Sequence, residues 1–239
     1  MNKLKYTTEI TLYNSYFDKN NNLTPKSILS IFQDVASIHA EEIGVGYEAM
    51  LNKNIYWVLS RMKFDIISMP SLNQKVVVET WPHEKGRIDF DRDMTIKSTD
   101  GKTLIIATSK WCVIDTISRM LKRTDDINYN GECILDKNYE DKFVKISLPD
   151  TTFENKFDHI VRFCDLDHNG HMNNTNYANL VTSCIENQLF THFEINFTHE
   201  CMQDDVINLA HTKTESGEYV VGKVNDNVAF ITYTKYKRK

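Results

Sequence analysis

Apolar and polar residues alternate from Tyr6 to Leu12, with Ile10 and Leu12 set against Thr8 and Thr11. This period of two predicts a strand. A polar loop follows, Phe17-Asp18-Lys19-Asn20-Asn21-Asn22, and then Thr24-Pro25. Thr suits a helix N-cap, and Pro at the first helical position lacks only an N–H that would be unbonded anyway. Ile28, Ile31, Phe32, Val35, Ala36 and His39 recur at helical spacing and Gly44 supplies a stop, so a helix is predicted over about 25–43. The period then returns to two in four segments, about 55–67, 74–84, 88–98 and 103–116. Turn signals separate them at Met69-Pro70-Ser71, Glu84-Lys85-Gly86 and Thr99-Asp100-Gly101-Lys102. A strand, a helix and four strands lack the alternation of a parallel βαβ sheet; they describe a long helix packed on a mostly antiparallel sheet.

The same order recurs after a charge-rich, poorly periodic stretch at about 117–150 that includes Asp126. A strand is predicted from Phe157 to Phe163, then a polar loop from Cys164 to His171. Tyr177, Leu180, Val181, Cys184, Ile185 and Leu189 mark a helix over about 173–189. Strands follow near 192–200, 205–214, 218–225 and 228–236. The repeated order, with little identity between the halves, is most simply an internal duplication. It divides the chain into an N-terminal unit, residues 1–128, a linker, 129–148, and a C-terminal unit, 149–239.

Composition narrows the setting. At 239 residues, 41% hydrophobic and 26% charged, the chain has the balance of a globular protein. No apolar run approaches the roughly 18–20 residues of a membrane span, and no secretory signal follows Met1. The net charge of −5 argues against broad nucleic-acid binding. Cys112, Cys133, Cys164, Cys184 and Cys201 are odd in number and widely spaced, with no CxxC, which disfavours a disulfide framework and fits a reducing cytosol.

One segment is dense in reactive groups: Asp165-Leu166-Asp167-His168-Asn169-Gly170-His171-Met172-Asn173-Asn174. Free N–H groups at a helix start stabilise an anion or a developing oxyanion, and acid, base and amide side chains beside them are the parts of acyl transfer. The equivalent loop of the first half holds Asp18, Asn20, Asn21 and Asn22 but no histidine. Plain Asx-turns and caps would account for single Asp or Asn residues here, though not for two histidines. Asp165, Asp167, Asn169 and Gly170 match the start of a calcium loop, but position twelve is Asn176 instead of Glu. Cys164, His168 and His171 fit no common zinc spacing. Gly44-Val45-Gly46-Tyr47-Glu48-Ala49 has the form of a dinucleotide loop but follows a helix instead of a strand.

The run Asp165 to Tyr177, Asp-Leu-Asp-x-Asn-x-His-x-Asn-Asn-x-x-Tyr, resembles the signature of acyl-acyl carrier protein thioesterases. Phe193-Glu194-Ile195-Asn196-Phe197-Thr198-His199-Glu200-Cys201 resembles the family's strand ending in Glu-Cys. Trp57-Val58-Leu59-Ser60-Arg61-Met62, Glu79-Thr80-Trp81 and Ser109-Lys110-Trp111-Cys112-Val113 resemble further family segments. The resemblance runs from about residue 4 to 236 and implies an α+β fold, a tandem (double) hotdog. It also implies hydrolysis of the thioester of fatty acyl-acyl carrier protein, in the cytoplasm, with the chain lacking the plastid leader of plant enzymes. The family's catalytic positions fall on Asp167, Asn169, His171 and Glu200, and Cys201 matches a cysteine once proposed as nucleophile.

The expected chemistry needs no cofactor and no metal. Glu200 would activate water with help from His171, Asn169 would orient the water or polarise the carbonyl, and the backbone N–H groups of Gly170 to Met172 would hold the oxyanion. Asp167 would position the others or act as a nucleophilic carboxylate. Cys201 thiolate with His171 is the rival. Ile28, Ile31, Phe32, Val35, Trp57, Met62 and Phe64 are candidate linings of an acyl tunnel, with the first unit binding the chain. Acyl carrier protein, acidic as a family, is the expected partner. Its dock would use Lys110, Arg119, Lys122 and Arg123, or the tail Lys235, Lys237, Arg238 and Lys239. Other hotdog activities, acyl-CoA hydrolysis among them, and a non-catalytic acyl-binding role compete with this reading. The oligomeric state, a homodimer included, is left open.

Overall fold

The computed structural model describes residues 4–125, 127–186 and 188–236, so Asp126, Lys237, Arg238 and Lys239 lie outside the described residues. The chain divides into two compact units. One takes in the chain up to Met62 together with Ile66–Phe143; the other takes in Lys63–Asp65 and Val144 onward.

In the first unit the strands are β1 (Tyr6–Thr11), β2 (Ile55–Ile66), β3 (Lys75–Pro82), β4 (Phe90–Ser98) and β5 (Thr103–Asp115), in the spatial order β1-β3-β4-β5-β2. The pairs β1–β3, β3–β4 and β4–β5 are antiparallel. Helix α1 (Pro25–Glu42) starts as predicted: the Thr24 hydroxyl accepts the Ser27 N–H, and Pro25 occupies the first turn. Its apolar face, Ile28, Ile31, Phe32, Val35 and Ala36, is buried. Gly44, in the left-handed region at φ 79°, ends the helix, as expected of a residue without a Cβ. A five-residue helix, α2 (Tyr47–Leu51), was not predicted, being too short to show a helical period.

His39 is on the buried face of α1, where its Nδ1 accepts a hydrogen bond from Arg92 Nη1 at 3.0 Å. Burial, and then the neighbouring guanidinium, lower its pKa to about 4. The folded protein therefore refuses a proton that the unfolded chain accepts below pH 6.5, and stability falls as pH drops from about 6.5 to 4. The shift is worth about 3 kcal/mol. His39→Gln, which keeps an acceptor without the titration, is expected to flatten this acid limb in urea unfolding at pH 7 and pH 4. Parallel limbs in the two proteins would count against it.

The second unit carries β6 (Glu154–Ile160), β7 (Phe190–Phe197), β8 (Val206–Lys213), β9 (Glu218–Val224) and β10 (Asn227–Tyr236), in the order β7-β10-β9-β8-β6, antiparallel throughout. Phe193 and Phe230 are fully buried, and the Tyr177 ring meets Phe230 edge-on at 5.1 Å. Phe230 lies opposite Gly222, where any Cβ would stand 2.1 Å from its ring, so the sheet needs glycine there. Helix α3 (Tyr177–Cys184) is shorter than the predicted 173–189. At its start, the Asn173 side chain accepts the Thr175 N–H, a local turn that competes with helix. At its end, Ile185 turns extended and Gln188 caps the carbonyls of Thr182 and Ile185.

The poorly periodic middle segment forms no strand or helix over its described residues, but Asp136 and Asn138 are pinned to β3, β4 and β5 of the first unit. Asn138 donates from Nδ2 to the carbonyls of Met94 and Ala107, its N–H reaches Asp93, and the Trp81 indole donates to Asp136. A segment whose hydrogen bonds go to another element's backbone needs no periodicity of its own.

Candidate active site

The two polar loops fold alike. In the first unit, Asp18 Oδ1 accepts the N–H groups of Asn20 (2.8 Å) and Asn22 (2.9 Å), the Asp18 N–H donates to Asn22 O, and Asn21 has φ 61°. In the second, Asp167 Oδ1 accepts from Asn169 (2.8 Å) and His171 (3.4 Å), the Asp167 N–H donates to His171 O, and Gly170 has φ 79°. A short 3-10 turn precedes each, Asn14–Tyr16 and Phe163–Asp165, and a single bridge closes each, Phe17 to Leu23 and Leu166 to Met172. The residues correspond one to one, with His171 standing where the first unit has Asn22.

The second loop is zipped to the segment after β7. The Met172 N–H donates to Cys201 O at 2.8 Å and His171 bridges to Met202. This brings His171 Nε2 to 3.5 Å from Glu200 Oε2, both side chains only partly exposed, at 14% and 32%. The Asn169 side chain is exposed and its amide has no hydrogen-bond partner among the described residues. Asp167 Oδ1 accepts two of the loop's own N–H groups, which holds the loop in shape.

Cys201 faces the other way. It is fully buried beside Tyr177, and burial raises its thiol pKa, so the thiolate is suppressed at neutral pH. The Tyr177 hydroxyl is pushed up as well, first by burial and then by Cys201.

Several sequence expectations change. The Gly170 N–H donates to Asp167 O and the Met172 N–H to Cys201 O, and α3 begins only at Tyr177. Neither N–H is free, nor at a helix start, to hold an oxyanion, because the loop's turn and bridge consume them. Glu200 and Cys201 follow the end of β7 instead of lying on it, yet they still point to opposite sides. Ile28, Phe32 and Phe64 are fully buried core, while Trp57 borders a cavity in the first unit. Lys110 is largely buried between Asp89 and Asp91, Lys122 pairs with Asp115, Arg123 with Asp125, and Arg119 lies over the Tyr56 ring. None of the four is an unopposed docking charge. Cys164 and His168 are exposed, and no three His, Cys, Asp or Glu side chains gather as metal ligands among the described residues.

Over residues 2–130 the sequence matches the acyl-ACP thioesterase N-terminal domain, and over 148–232 the acyl-ACP thioesterase C-terminal domain. The chain belongs to the acyl-ACP thioesterase family. It is 28% identical over 238 residues to oleoyl-acyl carrier protein thioesterase 2 of Arabidopsis thaliana, a match covering 90% of this chain and 65% of that protein. It is 30% identical over 212 residues to oleoyl-acyl carrier protein thioesterase of Coriandrum sativum, covering 79% and 57%. The chain thus spans less than two thirds of these relatives' length. An acyl-ACP thioesterase of Bacteroides thetaiotaomicron superposes with a TM-score of 0.83 at 22% identity over 98% of each chain. The 12:0-ACP thioesterase of Umbellularia californica superposes with 0.83 at 21% over 100% and 99%. This family member accordingly has the α+β tandem hotdog fold expected from its sequence.

No helix among the described residues is long and apolar enough to cross a membrane.

Proposed function

We propose that the protein hydrolyses the thioester of fatty acyl-acyl carrier protein, releasing a free fatty acid. The observation that carries this reading is the His171–Glu200 contact; on the same loop as His171, the Asn169 amide has no hydrogen-bond partner among the described residues. A base, a second proton-transfer group and a free amide donor are what water attack on a thioester requires.

In this reading Glu200 takes a proton from water as its oxygen attacks the thioester carbon. The Asn169 amide donates to the carbonyl oxygen as it becomes an oxyanion, replacing the backbone groups of Gly170 and Met172. Collapse of the tetrahedral intermediate expels the phosphopantetheine thiolate, which takes up the proton through His171 or Glu200. Asp167 holds the loop in shape. The burial of Cys201 favours Glu200 over a cysteine nucleophile. The second unit, 149–239, carries the chemistry, and the first, 1–128, holds the acyl chain.

The test is thiol release from acyl-carrier substrates of graded length, with matched acyl-CoA beside them. Turnover faster on the carrier substrate, with KM rising with salt, is expected. Silence on every thioester would leave a binding role, and faster turnover of acyl-CoA would reassign the substrate.

A further inference from the structure

The loop that carries Asp167, Asn169 and His171 is fastened through Asp165. The Asp165 main-chain carbonyl accepts the Asn173 N–H at 2.8 Å and Asn176 Nδ2 at 3.0 Å, which closes the far end of the loop onto its beginning. The carboxylate ties that beginning down. Its Oδ2 accepts the Arg162 N–H at 2.9 Å and His159 Nε2 at 3.0 Å. His159 is on β6, opposite Ile207 of β8, so this bond comes from the sheet and not from the loop itself. The two side chains are only 25% and 17% exposed, which protects the pair from much of the screening that weakens surface ion pairs.

The duplicate loop shows what this pair is not needed for. In the first unit Tyr16 precedes Asp18 by two positions, as Asp165 precedes Asp167, and the Tyr16 carbonyl accepts the Thr24 N–H at 3.0 Å as Asp165 accepts Asn173. Ile10 of β1, six positions before Tyr16, stands where the second unit has His159. An isoleucine side chain makes no hydrogen bond, yet the first loop takes the same turn. The turn therefore forms without an ion pair to the sheet. The second loop has a further task, to hold the His171 ring 3.5 Å from Glu200. The Met172–Cys201 bond fixes the loop beyond His171, and the His159–Asp165 pair fixes it before Asp167. A displacement of about 1 Å at a reacting group costs up to about 10²-fold in rate, so a loop held on one side only would lose much of its catalytic value.

We propose that His159 is a positioning residue, which through Asp165 holds the loop so that His171 meets Glu200. Its kinetic consequence rests on the hydrolytic reading of this site; the anchoring does not.

His159→Ile, which imports the residue of the first unit, should lower kcat on an acyl-carrier substrate about tenfold, the worth of one charge-assisted hydrogen bond, with KM within about twofold. His159→Gln, whose amide can still donate to Asp165, should recover most of that loss, whereas a packing role would favour Ile over Gln. Asp165→Ala should lose at least as much, and adding His159→Ile to it should change kcat no further, because His159 acts through Asp165. Hydrogen exchange on the whole protein reads the anchoring without turnover. The Gly170 and Asn173 amides should exchange about tenfold faster in His159→Ile than in the wild type or His159→Gln, with the amides of β9 unchanged. Should the wild type hydrolyse no thioester, the hydrolytic reading falls and the exchange result alone decides the anchoring. Should His159→Ile fail to fold, His159→Thr, too short to reach Asp165, takes its place. Wild-type kcat in His159→Ile, a loss that His159→Gln does not recover, or unchanged exchange of the loop amides would overturn the proposal.

Discussion

Glu200→Gln is expected to lower kcat on an acyl-carrier substrate by about 10²–10⁴-fold, the usual contribution of a positioned general base. The substitution keeps the size of the side chain, and since Glu200 is only partly buried the fold should be little affected. His171→Ala should lose a similar factor. Cys201→Ala should retain turnover to within about threefold, because a fully buried thiol beside Tyr177 is packing and not chemistry. The measurement is steady-state thiol release with each variant's unfolding curve run beside it. An inactive, folded Cys201→Ala together with an active Glu200→Gln would reverse the assignment.

The largest expected loss of stability lies away from the site, in the pair His211–Glu218. Glu218 is fully buried; its Oε2 accepts from His211 Nε2 at 2.8 Å and from the Glu186 N–H at 2.9 Å, while Lys213 stands 3.9 Å from Oε1. Removing His211 leaves a buried carboxylate with one short hydrogen bond. His211→Ala is expected to destabilise the protein by about 3–5 kcal/mol. Pairing His211→Leu with Glu218→Leu removes both polar groups at once and should recover most of that loss. Urea unfolding of the single and double variants checks it. A double variant no more stable than His211→Ala would show that packing, not the stranded charge, sets the cost.

Much of the architecture was legible because it rests on local periods. The helix from Pro25 and all ten strands were placed to within a few residues, since the alternation of buried and exposed positions is written directly in the chain. Errors came where side chains bond the backbone. Asn173 delays α3, Gln188 and the turn at Ile185 end it early, and Asn138 pins a segment that has no period of its own. Arg92 alternates with the buried Phe90 and Met94 on β4, a spacing that places it inward.

The sequence by itself pointed to a duplication, showed two histidines in the second loop where the first has none, and singled out Asp167, Asn169, His171 and Glu200. Residue type and short spacing carry that information. Only the tertiary structure decided which of these groups meet and which donors remain free. The Met172–Cys201 bridge sets His171 against Glu200 across 29 positions of sequence and uses up the Met172 N–H, while Cys201 turns into the core. Hydrogen bonds between distant segments follow from how the strands pair and which face each loop presents, and no local pattern encodes them.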